Sequence, residues 1–236
     1  VSQADSESGA VNTDSDVKDG KDDDKQQEGK VNYSLLFNEI KRTEAYKGMK
    51  YANPLITQEF GADPYAMVYD DTVYIYMTQD VFEKSSDGTI KDNSYSKIKS
   101  IRVISSKDMV NWTDHGEIHV ADGIVGAKWA KNSWAPAVAW KNIDGQDKFF
   151  LYFADGGGGI GVLEADSPTG PFKDPLGHGL ITRNTPNCAD VLWLFDPAVL
   201  VDDDGKAYIY FGGGVPSDKI SHPMPARCVE LGDDMI

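Results

Sequence analysis

Two aspartates stand in front of proline at matching points of a repeated pattern: Asp63 in GADPYA and Asp196 in FDPAVL. A lone Asp-Pro most often marks a turn, because the carboxylate bonds nearby backbone N–H groups and proline presets the next φ. The same placement in two repeats, with Ala135 at the matching point of a third (SWAPAV), favours a working carboxylate pair over a purely structural one. Carboxylates that strands bring together can pass protons to and from a substrate. Other chemistries find less support. None of His115, His119, His178 and His222 has a partner at ligand spacing, and neither do Cys188 and Cys228, which argues against zinc. The two cysteines could pair with each other, and the sequence leaves that open. The acidic run Asp14 to Asp24 has Asp19 where a calcium loop needs glycine. Asp202, Asp203 and Asp204 before Gly205 read as a hairpin turn. Gly156 to Gly159 lack the G-x-x-x-x-G-K-[ST] of a phosphate cradle and read as a flexible loop.

The elements that must carry the aspartates show in three similar segments: ADPYAMVYDDTVYIYMTQD from Ala62, WAPAVAWKNIDGQDKFFLYFADGG from Trp134 and FDPAVLVDDDGKAYIYFGGG from Phe195. Each is a short apolar strand, an Asp/Gly/Asn turn and an aromatic strand, which is the pattern of a hairpin. Proline at the strand start does least harm, since its missing N–H is not needed there. IRVISSKDMVNWTDHG from Ile101 and GIGVLEADSPTGPFKDP from Gly159 each add a second hairpin outline. The expectation is therefore all-β, with four-stranded antiparallel sheets recurring roughly every 60 to 70 residues, a spacing that suits propeller blades. One short helix is expected around Leu35, Leu36 and Ile40.

Composition narrows the partners. The first 30 residues hold almost nothing apolar and read as a disordered acidic arm ahead of a folded part, 31–236. A net charge of −15 argues against nucleic acid and anionic membranes, whereas a neutral sugar is compatible with it. No apolar run is long enough to span a bilayer. A polar arm is what often remains once a signal peptide is removed, so export, as a secreted or cell-surface protein, is expected.

The marks NPLI…GADPYA, SKDMVNW, SWAP, DSPTGPF and FDPAVLVDDDGKAY, in this order over residues 50–236, resemble glycoside hydrolase family 43. The resemblance implies a five-bladed β-propeller whose first two to three blades this chain supplies, with blade 1 at about 53–118, blade 2 at about 130–178 and an incomplete blade 3 at about 190–236. It implies that Asp63 is the general base, that Asp196 tunes the general acid and orients the sugar, and that Trp134, Ala135 and Asp80 line the sugar subsite. The acid itself is expected to be a fourth-blade glutamate beyond Ile236, from a later part of the protein or a second polypeptide, so the chain alone should be nearly inert. Implied too are no cofactor for the chemistry, no metal at the site and a structural calcium ion in the channel. The implied activity is inverting release of α-L-arabinofuranosyl or β-xylosyl groups from plant hemicellulose or arabinan. Endo-arabinanase action, a non-catalytic carbohydrate-binding propeller and a protein scaffold are the alternatives.

Overall fold

The computed structural model describes residues 53–91, 93–219 and 225–236, all within one unit, Ala45–Ile236. The arm expected over residues 1–30 and the helix expected around Leu35, Leu36 and Ile40 lie outside the described residues. Among the described residues, ten strands form three antiparallel sheets and there is no α-helix, only 3-10 turns at Tyr95–Lys97 and Ser217–Lys219. The first sheet runs in the order β1 (Gly61–Tyr69), β2 (Thr72–Gln79), β3 (Ser100–Ser106), β4 (Thr113–His119). The second holds β5 (Trp134–Ile143), β6 (Gln146–Ala154) and β7 (Ile160–Ala165). The third holds β8 (Ala198–Val201), β9 (Ala207–Phe211) and β10 (Arg227–Leu231), with β9 in the middle.

Turn chemistry explains the hairpins. Asp70 and Asp71 connect β1 to β2 with φ of 47° and 53°, and Asp144 and Gly145 connect β5 to β6 with φ of 52° and 82°. Two left-handed residues in a row make the turn whose twist matches the flanking strands, and aspartate tolerates that region better than most residues. The Asp202–Asp204 run is the expected turn: Asp202 N–H donates to Lys206 O and Gly205 N–H to Asp202 O. The fourth strand expected in the second sheet is absent. Pro168 and Pro171 lack N–H donors, and the outer edge of β7 is met only by two isolated bridges, Glu164 with Lys173 and Ile160 with Ile181.

The sheets stack face to face. Phe149, Leu151 and Phe153 of β6 pack against Tyr76, Ile101 and Val103 of the first sheet. Phe150 and Tyr152, on the opposite face of the same strand, pack against Val199, Ile209 and Phe211 of the third. A strand buried on both faces must be apolar throughout, which is why the buried run FFLYFA shows no polar alternation. Each such side chain contributes about 1.5–3 kcal/mol by leaving water. A tyrosine spans each interface. Tyr76 Oη donates to Pro168 O at 2.6 Å, and Tyr152 Oη to Met235 O at 2.7 Å; both rings are fully buried. Tyr210 holds the same repeat position in the third sheet, on a face that also exposes Leu200.

Candidate active site

Each sheet begins its first strand with the same distortion. Asp63, Ala135 and Asp196 have φ of 50°, 40° and 50°, in the left-handed region that non-glycine residues avoid. The ladders slip there: register shifts between Ala62 and Tyr65 and between Trp134 and Ala137. Such bulges cluster beside active sites because they re-aim a side chain, and backbone strain of about 1–3 kcal/mol persists only where the surroundings impose it.

The structure brings Asp63, Asp80 and Asp196 into one electrostatic group. Burial pushes the Asp196 carboxyl above the usual carboxylate range, and the charge of Asp63 adds to this. Asp80 is raised for the same two reasons, burial first, against an opposing hydrogen bond from Asn93. Like charges close enough to act on one another disfavour joint ionisation. Asp63 and Asp196 both remain open to solvent, as groups that must reach a substrate do.

Asp63 is held by a residue the sequence does not single out. Thr78, buried in β2, donates its hydroxyl to Asp63 Oδ2 at 3.0 Å and accepts the N–H of Ala135 at 2.9 Å. One hydroxyl thus ties the first carboxylate to the strand start of the second sheet. Ala135, expected at the sugar subsite, contributes that backbone N–H and is itself buried. Asn93 fixes Asp80: its Nδ2 donates to Asp80 Oδ1 at 2.6 Å while its Oδ1 accepts Val81 N–H at 3.1 Å.

Tryptophans precede two of the strand starts, Trp134 next to Ala135 and Trp193 three residues before Asp196. Trp134 is half-buried, donates Nε1–H to Tyr95 O at 3.0 Å and meets the Tyr95 ring edge-on at 6.1 Å. Asp155 Oδ1 accepts both Lys131 and Asn132 N–H, pinning the approach to Trp134. Trp193, three residues before Asp196 and unassigned from sequence, is 45% exposed and lies against Gly157 and Gly214, where a methyl group would overlap its ring. The glycine run is therefore no loose loop. Asp155 N–H bonds Gly159 O, Leu194 N–H bonds Gly157 O, and Arg183 donates to the carbonyls of Val191 and Leu192, so the glycines form a seat for an indole.

Cys188 is buried and Cys228 exposed, and both are free thiols. Among the described residues no three His, Cys, Asp or Glu side chains gather as a metal site. No helix among them is long and apolar enough to cross a membrane.

Comparison with known proteins shows the family. The model of the glycosyl hydrolases family 43 matches residues 51–233. An arabinoxylan arabinofuranohydrolase of Paenibacillus polymyxa is 58% identical over 194 residues, which cover 78% of this chain and 31% of that protein. One from Bacillus subtilis (strain 168) is 55% identical over 205 residues, 82% of this chain and 40% of the relative. A crystal structure of a Bacillus subtilis arabinoxylan arabinofuranohydrolase in complex with cellotetraose superposes with a TM-score of 0.72 at 56% identity, over 78% of this chain and 40% of that one. An α-L-arabinofuranosidase from Clostridium thermocellum gives 0.58 at 43% identity, over 77% of this chain and 54% of that one. The chain thus spans less than half the length of these curated relatives.

Proposed function

Because the chain belongs to glycosyl hydrolase family 43, we propose that it forms the N-terminal part of an inverting glycosidase that removes α-L-arabinofuranosyl groups from arabinoxylan. The observation that carries this reading is the pair of aspartates at matching left-handed strand starts, with the charge of Asp63 acting on Asp196 and Asp80. Inversion needs one carboxylate to activate water and a protonated acid on the opposite face of the sugar, about 6.5–9.5 Å away. Asp63, oriented by Thr78, takes the proton from water. Asp196 lies near the reacting sugar, where its negative charge keeps the acid protonated. The acid is a glutamate from the part of the family's length that this chain does not span. Trp134 and Trp193 wall the sugar, and Asp80, held by Asn93, accepts its hydroxyls.

The same reading makes the three sheets blades of a five-bladed propeller, at about 53–118, 130–178 and 190–236. It is supported by their repeated stacking and by the tyrosine that spans each interface. The remaining blades come from the rest of the protein or from a second polypeptide. A polymeric plant substrate places the enzyme outside the cell, secreted or on its surface.

The decisive experiment replaces Asp63 with Asn in the full-length protein and measures release of arabinose. We expect kcat to fall about 10²–10⁴-fold with the circular dichroism spectrum unchanged. Near-normal turnover would remove Asp63 as the base and the mechanism with it.

A further inference from the structure

The third strand carries one charge in an otherwise uncharged run. Every residue of β3, SIRVISS, is buried, and Arg102 stands among them at 7% exposure. A buried guanidinium is costly unless its donors find partners, and here they find several. Its Nε donates to Gln79 Oε1 at 2.7 Å, and its Nη1 donates to both oxygens of Asp114 on β4 at 2.7 and 2.6 Å. Its Nη2 lies 3.6 Å from Glu59 and 3.9 Å from Glu117. Burial pushes the Asp114 carboxyl up, yet hydrogen bonds from Gly116 N–H, Gln58 and Arg102 hold it below the usual carboxylate range, so the pair is ionic.

Two of these partners lead to the carboxylates. Gln79 ends β2, between Thr78, which bonds Asp63, and Asp80. Side chains alternate along a strand, so Thr78 reaches Ala135 in the second sheet while Gln79 turns to the opposite face and meets Arg102. In the ladder Gln79 sits opposite Gly61, two residues before Asp63, and its Nε2 lies 3.5 Å from both Glu59 Oε2 and Asp80 O. The second partner, Asp114, also accepts Gln58 Nε2–H at 2.9 Å. Gln58 and Glu59 lie in the segment entering β1, so one guanidinium ties the end of β2 and the approach to β1 to β4. A buried ion pair gives little stability over apolar side chains of the same volume. What the planar fork does give is direction: it holds an amide and a carboxylate at once, which a single ammonium does poorly.

We infer that Arg102 is a positioning residue for Asp63 and Asp80, acting through Gln79 and through Gln58 and Glu59. The inference rests on the glycosidase reading, in which Asp63 activates water and Asp80 accepts sugar hydroxyls, and deepens it by naming what holds the two in place. Thr78 clamps the end of β2 from the face of the second sheet, and Arg102 clamps it from the other. A shift of about 1 Å at a reacting group can cost about 10²-fold in rate, so a loosened clamp reads in kcat.

The test uses the full-length protein with Arg102→Lys, Gln79→Leu and the two combined. Lysine keeps the charge beside Asp114 and gives up the bond to Gln79; leucine gives up the same bond from its other end. Each single variant should lower kcat on an aryl arabinofuranoside about tenfold, and the combination should fall no further, because both break one link. Tyr152→Phe, which loses a buried hydrogen bond at the joint of the second and third sheets, should lower the melting temperature with kcat intact. Hydrogen exchange in peptides covering residues 61–63 and 79–81 reads the clamp without turnover and should quicken in both single variants. In an active enzyme, unchanged kcat in both single variants overturns the inference and leaves the hydrolase reading standing. Losses that multiply in the combined variant overturn it too, since Arg102 and Gln79 then act separately. So does a kcat that tracks melting temperature across every variant, Tyr152→Phe included, since Arg102 is then only structural. A wild type that never releases arabinose, with exchange quickened in both variants, sinks the hydrolase reading and leaves the clamp standing; unchanged exchange there sinks both.

Discussion

Asp63 and Asp196 occupy the same point of the repeat with the same φ of 50°, yet their surroundings differ. A buried threonine hydroxyl reaches Asp63, while among the described residues no side-chain hydrogen bond reaches Asp196, which is instead partly desolvated and acted on by the charge of Asp63. Between them in the repeat stands Ala135, with the same left-handed backbone and no carboxylate. The comparison separates two things that a single site would confound. The backbone distortion belongs to the repeat and is present whether or not the residue can do chemistry. The chemical role is assigned afterwards, by the side chain placed on the turn and by its neighbours. Strain alone does not identify a catalytic residue here.

The sharpest way to break the comparison is to neutralise the second aspartate as the first is neutralised above. In the full-length enzyme, Asp196→Asn should lower kcat about 10²-fold or more. It should also move the basic limb of the pH profile to lower pH, because the acid loses the negative neighbour that keeps it protonated. An unmoved limb would mean that Asp196 binds without tuning. A smaller effect is expected at the hydroxyl that only Asp63 possesses. Thr78→Val removes both the donor to Asp63 and the acceptor for Ala135 N–H, and should cost about tenfold in kcat and about 1–2 kcal/mol of stability. Thr78→Ser keeps both bonds and should restore both quantities. If serine restores stability but not kcat, Thr78 holds the sheets together without orienting the carboxylate.

The smallest effect concerns pH and stability. A carboxyl raised above its unfolded range stabilises the fold while protonated and loses that contribution as pH rises through its folded value. Asp196→Asn should therefore match wild type in acid and melt about 1–2 °C higher at neutral pH, a small difference because solvent screens an open group. A variant less stable than wild type at neutral pH would contradict the partial desolvation of Asp196.

The hairpins were legible because their signals are local: aromatic strands, Asp-Asp and Asp-Gly turns, proline at strand starts. The middle strand was legible as an aromatic strand, while its burial on both faces emerged only once sheets were seen to pack on either side. Legibility failed where a partner comes from another sheet. Thr78 reads as an ordinary strand threonine until Ala135 N–H arrives from the next sheet. Trp193 acquires meaning only when Gly157 and Gly214, from two distant segments, are seen to leave room for its ring. The fourth strand of the second sheet was over-read because aromatic and apolar residues were present, while Pro168 and Pro171 had removed the donors a ladder needs.

The tyrosines that span the sheet interfaces give the stack a polarity. Tyr76 donates forward to the turn after β7, and Tyr152 donates forward to the turn after β10. Every joint has a giving side and a receiving side, so the stack has a head at Tyr210 and a tail at the turn after β3. Contacts of this head-to-tail kind either run on without limit or curve until the head meets the tail. Tyr210 holds the equivalent place in the third sheet, on a face that these two joints leave exposed. The order of the three sheets is thus marked at both joints by a single hydroxyl.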